Sequence, residues 1–226
     1  MNYFSEQDIR DIVTSIVAQA GGSKPARSCG SNAKGQEILV EISARHVHLD
    51  RETMDILFGK GSELTPKRDL SQPGQFLSEE RVKLVTAKGE ISNVGVLGPL
   101  RPQTQVELSF TDARILGLKA PIRLSGDLDN SADVIIIGPK GVAVAKNSTI
   151  IAKAHAHMTP ADARNYGVKD GEIVSLELGD ERKITMNNVL VRVSDSAGLA
   201  VHIDYDEANA ANVSGSNIVG RLIKNG

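Results

Sequence analysis

All five histidines of the chain belong to one arrangement, made of two His-x-His pairs and a single later histidine. The pairs are His46 with His48 and His155 with His157, and the fifth histidine is His202. Side chains alternate along a β-strand, so a His-x-His pair in a strand places both imidazoles on one face. Imidazole nitrogen is a common ligand of transition metals, and of zinc in particular. The histidines therefore predict one or two bound metal ions, with zinc favoured.

The segments around the two pairs resemble each other. In both copies a predicted strand carries the histidines and leads into a predicted helix, over 50–58 and over 159–166. Asp50 and Thr159 stand at the N-cap positions, and Pro160 follows at the first helical position, where proline is favoured. A single His-x-His pair would be interpreted as polar residues on an exposed strand. The duplication favours metal binding instead, with two similar units presenting their histidines across a shared interface.

Three further residues are candidates for the same site. His202 lies in a predicted strand and could add a third imidazole, although alone it would be an ordinary strand histidine. Three ligands leave coordination positions open, as catalytic zinc sites require. Glu107 could add a carboxylate, although most strand glutamates face water. Arg101 lies between Pro99 and Pro102 in a stiffened loop and suits a phosphate or carboxylate, the alternative being a surface arginine in a turn.

From residue 36 onward the pattern is mostly β. Short apolar runs alternate with turns, many of which contain glycine, and helices are few, with a third one predicted over 206–212. Short strands at this spacing are typical of barrels or sandwiches rather than of βαβ units. The predicted strands cover 38–42, 82–85, 106–110, 134–137, 142–145, 173–178, 189–193 and 199–203.

The N-terminal part of the chain has a different pattern. Residues 1–20 predict an amphipathic helix, and residues 21–36, rich in glycine and serine, predict a flexible linker. A short helix tethered in this way needs a partner surface to be stable. That surface is its own domain, another subunit, or a different protein for which the helix is a docking peptide. The apolar stripe of the helix consists of Ile9, Ile12, Val13, Ile16 and Val17.

Composition excludes several classes of function. The formal net charge is only -2 and no basic face is evident, so we expect no nucleic-acid partner. No apolar run approaches the roughly 20 residues of a membrane-spanning helix, and the acidic N-terminus does not fit a secretory signal. The single Cys29 lies in the predicted linker, which excludes a disulfide framework and fits a reducing cytoplasm.

Three segments together resemble the PduL-type phosphotransacylases, the phosphate propanoyltransferases of bacterial microcompartments. They are Ser-Ala-Arg-His-Val-His-Leu at 43–49, Gly-Pro-Leu-Arg-Pro at 98–102 and Ala-His-Ala-His-Met at 154–158. They occur in this order at long separations, and the resemblance covers about 36 to 224. It implies the reversible conversion of a short acyl-CoA, such as propanoyl-CoA, and phosphate into acyl phosphate and coenzyme A.

The resemblance also implies a fold and a set of partners. The fold is mainly β, with two β-barrel domains capped by short α-helices. One barrel is formed by 45–152 and the other by 37–44 plus 153–224. Residues 1–20 would be an encapsulation peptide that contacts shell or core proteins, and would place the enzyme inside a microcompartment in the cytoplasm. We also expect a homo-oligomer.

By matching motif positions, the resemblance assigns two zinc ions to each active site. Arg101 would hold the incoming phosphate, and one of the two zinc ions would also meet the sulfur of coenzyme A. The ligands of that ion would be His46, His48 and Glu107, and those of the other would be His155, His157 and His202.

Two alternatives remain open at this point. A metal-dependent hydrolase of thioesters or phosphoesters would use the same histidines but would need no phosphate as a substrate. A non-catalytic metal-binding β module would bind metal for assembly alone, and the substitution Arg101→Ala would then leave every function intact.

Overall fold

Alternating apolar side chains in short strands, separated by tight turns, build a mainly β structure, in which residues 35–225 contain four short helices. The computed structural model describes residues 35–225. The predicted helix over 1–20 and nearly all of the predicted linker over 21–36 lie outside the described residues. None of the described helices is long and apolar enough to cross a membrane.

The elements are numbered in chain order. The strands are β1 Gln36–Ser43, β2 His46–His48, β3 Pro66–Asp69, β4 Phe76–Val85, β5 Glu90–Gly98, β6 Gln105–Leu108, β7 Ile122–Arg123, β8 Ala132–Ile137, β9 Val142–Ala152, β10 His155–Met158, β11 Ile173–Leu178, β12 Ile184–Val193, β13 Ala200–Asp204 and β14 Ile218–Lys224. The helices are α1 Arg51–Phe58, α2 Phe110–Leu116, α3 Pro160–Tyr166 and α4 Tyr205–Ala211.

The strands form two closed barrels, which confirms the predicted fold class. The first barrel has the strand order β4-β5-β2-β6-β9-β8 and closes because β8 pairs with both β9 and β4, while β3 and β7 extend it at β4 and β9. The second has the order β1-β13-β10-β12-β11-β14 and closes through β14 and β1. The N-terminal strand β1 therefore completes the barrel built by the C-terminal strands. The domain boundaries given above stay a prediction.

The two barrels repeat one pairing pattern. In the first barrel β2 lies between β5, which is parallel to it, and β6, which is antiparallel. In the second barrel β10 lies in the same way between β12 and β13. Further out, β6 pairs in parallel with β9, as β13 does with β1. The chain passes from β1 of the second barrel into β2 of the first, and from β9 of the first into β10 of the second. These two crossings join the barrels through the strands that carry the histidine pairs.

The alternation of side chains decides which residues face outward from each barrel. Val47 and Leu49 are buried in the core of the first barrel, and Ala156 and Met158 in that of the second. The histidines occupy the alternate positions of the same strands, so they lie on the outer faces of the barrels.

The N-cap of each described helix lies two residues after a candidate ligand. The N-caps of α1 and α3 are Asp50 and Thr159, as predicted, and Pro160 is the first residue of α3. The third predicted helix is α4, which occupies Tyr205–Ala211 rather than 206–212.

The predicted strand over 106–110 is too long. β6 ends at Leu108, because the Ser109 side chain accepts a hydrogen bond from the Asp112 backbone N–H and the Asp112 side chain accepts one from the Ser109 N–H. This capping box starts α2, a helix that was not predicted.

The other predicted strands lie within observed strands or overlap them within one residue, but several observed strands were missed. β3 consists of exposed and mostly charged residues, so it has no alternating apolar pattern. In β5, Asn93, which has a positive φ of 59°, and Gly95 interrupt the alternating apolar pattern, although the strand itself is continuous. Strands of this kind are stabilised by their neighbours in the barrel, which a local pattern does not reveal.

Candidate metal centre and the cavity between the barrels

The first ligand group consists of His46, His48 and Glu107. Glu107 lies on β6 directly opposite His46 on β2, and all three side chains are buried. Their ligand atoms lie within 4.8 Å of one another. The His46 Nε2 atom is 3.5 Å from Glu107 Oε2, and the two imidazole centroids are 4.9 Å apart. The strand pairing therefore makes a three-donor set from two adjacent strands.

The second ligand group consists of His155, His157 and His202, and it repeats the first. His202 lies on β13 directly opposite His155 on β10, as Glu107 lies opposite His46. The ligand atoms again lie within 4.8 Å of one another, and the Nε2 atoms of His155 and His157 are 3.0 Å apart. Glu107 and His202 thus hold equivalent positions in the two barrels.

Burial keeps several of these imidazoles neutral. Removal from water is the main cause that lowers the pKa of His48 to about 2, of His155 to about 4 and of His157 to about 3. Neighbouring imidazoles, as charged groups, add to each shift. Neutral imidazole is the form that ligates a metal, so three of the five histidines are held in that form.

The contact between His46 and Glu107 shifts the pKa of each group against the effect of burial. Burial alone would lower the pKa of His46 and raise that of Glu107. The close contact between the two groups outweighs burial, so the pKa of His46 is raised and that of Glu107 lies well below its usual range. Glu107 is therefore an ionised carboxylate inside a buried donor set.

Main-chain carbonyls orient one imidazole in each group. The Nδ1 atom of His46 lies 2.8 Å from the Ala44 carbonyl oxygen, and that of His155 lies 2.8 Å from the Lys153 carbonyl oxygen. An N–H at Nδ1 donates to the carbonyl in this geometry and leaves Nε2 free to ligate. Both carbonyls belong to the residue two positions before the histidine, in the crossing between barrels.

His202 is oriented by a carboxylate. Its Nε2 atom lies 2.9 Å from Glu41 Oε2, and Glu41 is its neighbour on the parallel strand β1. The Ser71 hydroxyl donates to the same carboxylate oxygen. The hydrogen bond to His202 is the main cause that lowers the pKa of Glu41, so the carboxylate is ionised. Each group thus offers three nitrogen or oxygen donors with oriented imidazoles, a donor set that fits zinc with open coordination positions.

Both groups and Arg101 line one cavity of about 1130 Å³ between the barrels. The structure therefore brings together all seven residues that the sequence singled out. The volume of this cavity slightly exceeds the usual range for the binding sites of drug-sized ligands, so a large substrate fits. The basic side chains that line the cavity are Arg45, Arg68, Arg81, Arg101, Lys153 and Arg192. The acidic ones are Glu41, Asp69, Glu107, Asp112 and Asp206, so basic side chains exceed acidic ones by one.

Arg101 is tied to the first group through two residues that the sequence analysis missed. Its backbone N–H donates to the Leu49 carbonyl at 2.9 Å, and its guanidinium donates to the Ser125 hydroxyl at 2.7 Å. Gln105 donates to Ser125 at 2.8 Å and to Glu107 at 2.5 Å. Gln105 precedes Glu107 by two residues and so shares its face of β6, a signal that was present in the sequence. Ser125 comes from a distant turn and had no such signal.

The fold and site define a class of protein in which two paired β-barrels face one cavity, each with a group of three residues that could hold a metal ion. Comparisons with known proteins agree. The family profile described as phosphate propanoyltransferase matches residues 39–214. A phosphate propanoyltransferase of Thermotoga maritima is 50% identical over 184 residues, covering 80% of this chain and 87% of its own length. A phosphate propanoyltransferase of Rhodopseudomonas palustris is 41% identical over 217 residues, covering 95% of this chain and 96% of its own length. The chain belongs to the phosphate propanoyltransferase family, a family of acyltransferases.

Proposed function

We propose that this chain is a zinc-dependent phosphate acyltransferase. It interconverts a short acyl-CoA, with propanoyl-CoA as the expected substrate, and phosphate with acyl phosphate and coenzyme A. The observation that carries the proposal is the convergence of two three-donor groups and Arg101 on one cavity, in a chain of the phosphate propanoyltransferase family.

Two zinc ions would be held by His46, His48 and Glu107 and by His155, His157 and His202. When bound, they would supply positive charge that orients phosphate and stabilises the departing thiolate, a ligand that zinc favours. The support for this assignment is the donor chemistry, with mostly neutral imidazoles, one ionised carboxylate and an oriented ring in each group.

Arg101 would bind the phosphate. Phosphate and acyl-CoA both carry negative charge, so their approach requires a cation in the cavity. Burial lowers the pKa of Arg101 and Glu107 opposes this effect, but an arginine remains charged under such conditions. Ser125, which Gln105 holds in turn, fixes one end of the guanidinium and so limits the freedom lost on binding.

The acyl group would pass directly to phosphate. A phosphate oxygen forms a bond to the thioester carbonyl carbon, the C–S bond breaks, and its electron pair leaves with sulfur as the coenzyme A thiolate. Cys29 is the only cysteine of the chain and lies outside the described residues, in the predicted linker. We therefore infer no acyl-cysteine intermediate, and Cys29→Ser should leave turnover and metal content unchanged.

The test is the release of coenzyme A from propanoyl-CoA, followed by a thiol reagent, with and without phosphate and before and after chelation. The proposal requires release that depends on both phosphate and metal. Release that needs metal but no phosphate would contradict the transferase and favour the hydrolase. Absence of release under every metal loading would favour the non-catalytic module.

We further propose that residues 1–20 dock the enzyme to shell or core proteins of a bacterial microcompartment. The support is the apolar stripe of the predicted helix and the linker that follows it. Removing residues 1–20 should leave activity in solution intact and abolish recruitment to the compartment lumen. As a matched pair, Ile12→Glu should abolish recruitment, while Gln7→Glu, off the stripe, should not. Loss of folding or of the oligomeric state on truncation would contradict docking as the role of the segment.

A further inference from the structure

A second arginine, Arg192, faces the second ligand group. It lies on β12 directly opposite His157 on the parallel strand β10, and neighbouring residues of paired strands share a face of the sheet. Val191 is buried in the barrel core, so Arg192, at the alternate position, points outward. Arg192 and Arg101 line the same cavity but belong to different barrels.

The repeat shows that this arginine is not a general feature of the strand pairing. In the first barrel β5 is the equivalent of β12, and Leu97 lies opposite His48 as Arg192 lies opposite His157. An apolar side chain therefore flanks the first group where a cation flanks the second. The difference between two otherwise equivalent positions indicates a role specific to the second group.

The guanidinium of Arg192 has no protein partner in the described part of the chain. Among residues 35–225, its side chain makes neither a hydrogen bond nor an ion pair, although it is partly buried. Its positive charge contributes to the lowered pKa of Arg101, for which burial is the main cause. A partly desolvated cation that repels its neighbours costs free energy, and an anion bound beside it would offset that cost.

We propose that Arg192 is a second catalytic arginine, which binds the same inorganic phosphate as Arg101 from the opposite barrel. The phosphate would then lie between two guanidiniums, each able to donate two hydrogen bonds to its oxygens. The inference rests on the proposed function. A phosphate group of coenzyme A has the same chemistry, so the test must separate the two sources.

The test compares Arg192→Gln with Arg164→Gln, which removes an exposed arginine of α3 outside the cavity. We expect Arg192→Gln to raise the KM for phosphate about tenfold or more and to change that for propanoyl-CoA less than about twofold. Metal content should stay as in the wild type, and Arg192→Lys should restore part of the phosphate affinity. Arg164→Gln should change none of these quantities.

Other outcomes would overturn the inference. An unchanged KM for phosphate would remove Arg192 from the phosphate site, and an increase confined to the KM for propanoyl-CoA would assign Arg192 to coenzyme A. If Arg192→Gln failed to fold, Arg192→Lys and the thermal shift that phosphate causes in each variant would decide the question without turnover. Wild-type release of coenzyme A without phosphate would refute the proposed function itself, a result distinct from an unchanged KM in the variant.

Discussion

At the level of single residues, the backbone and a few polar neighbours aim the donor atoms. The carbonyls of Ala44 and Lys153 orient His46 and His155, and the Glu41 carboxylate orients His202. The histidines themselves were predictable from their spacing. Glu41 was not, because its role depends on the pairing of β1 with β13, which are far apart in the chain.

Glu41→Gln should weaken metal binding at the second group, because the carboxylate orients His202. We expect zinc affinity there to fall on the order of tenfold to a hundredfold, with the first group unaffected. Competition with a chromophoric chelator measures both affinities. Glu37→Gln, on the same strand with an exposed side chain, is the matched control. Equal affinities in wild type and Glu41→Gln would remove Glu41 from the metal centre.

Arg101→Ala should remove a cation that phosphate needs in the transition state. We expect kcat/KM for phosphate to fall on the order of a hundredfold or more, and metal content to stay unchanged. Ser125→Ala should cause a smaller loss, since it removes only one contact of the guanidinium. Steady-state kinetics with phosphate varied provide the measurement. Full activity in Arg101→Ala would favour the non-catalytic module.

At the level of elements, one unit of strand, N-cap and helix occurs four times in the described part of the chain. The last candidate ligand of each strand, His48, Glu107, His157 or His202, precedes an N-cap by two residues. The sequence predicted this unit around the two histidine pairs, where the copies resemble each other. It missed the unit at Glu107, although Ser109 and Asp112 have the spacing of a capping box.

The helix α4 gives a pH-dependent prediction at this level. Burial, together with the nearby Asp204 and Asp206 carboxylates, raises the pKa of Glu207 to about 7 from its ordinary value of 4.5. The unfolded chain therefore loses this proton at lower pH than the folded protein does, and Glu207 reduces stability as pH rises from about 4.5 to 7. Glu207→Gln should thus raise the free energy of unfolding at pH 8 by on the order of 1–3 kcal/mol, with little effect at pH 4.5.

Asp162, at the equivalent position of α3, is the control, because its pKa is lowered where that of Glu207 is raised. Hydrogen bonds from Thr159 lower the pKa of Asp162, so its ionised form stabilises the fold above the ordinary pKa of 3.8 and loses this effect as pH falls. Asp162→Asn should therefore destabilise the protein at neutral pH. Urea unfolding of both variants between pH 4 and 8 measures whether each substitution raises or lowers the free energy of unfolding as predicted. A Glu207→Gln protein less stable than wild type at pH 8 would contradict the account.

At the level of the whole molecule, two barrels place equivalent outward faces around one cavity. The short strands predicted barrels or sandwiches, and the family resemblance implied two barrels. The register that sets Glu107 beside His46 and His202 beside His155 depends on long-range pairing, which no local pattern encodes.

Each ligand group lies within one barrel, so the two proposed zinc sites should fill independently. His46→Ala and His155→Ala should each reduce bound zinc from two ions per chain to one, and each should reduce the thermal stabilisation that zinc provides. Elemental analysis and thermal unfolding after zinc loading test this. Loss of both ions in either variant would show that the groups depend on each other.

The central claim is acyl transfer to phosphate that depends on the metal. It is tested most directly by ³¹P NMR of the full-length protein with propanoyl-CoA and phosphate. Spectra of one protein preparation are recorded in three states: loaded with zinc, after removal of zinc by a chelator, and after zinc is added back. The account predicts an acyl phosphate signal that grows with free coenzyme A, disappears on chelation and returns with zinc. Release of coenzyme A without acyl phosphate, or formation of acyl phosphate that chelation leaves unchanged, would contradict it.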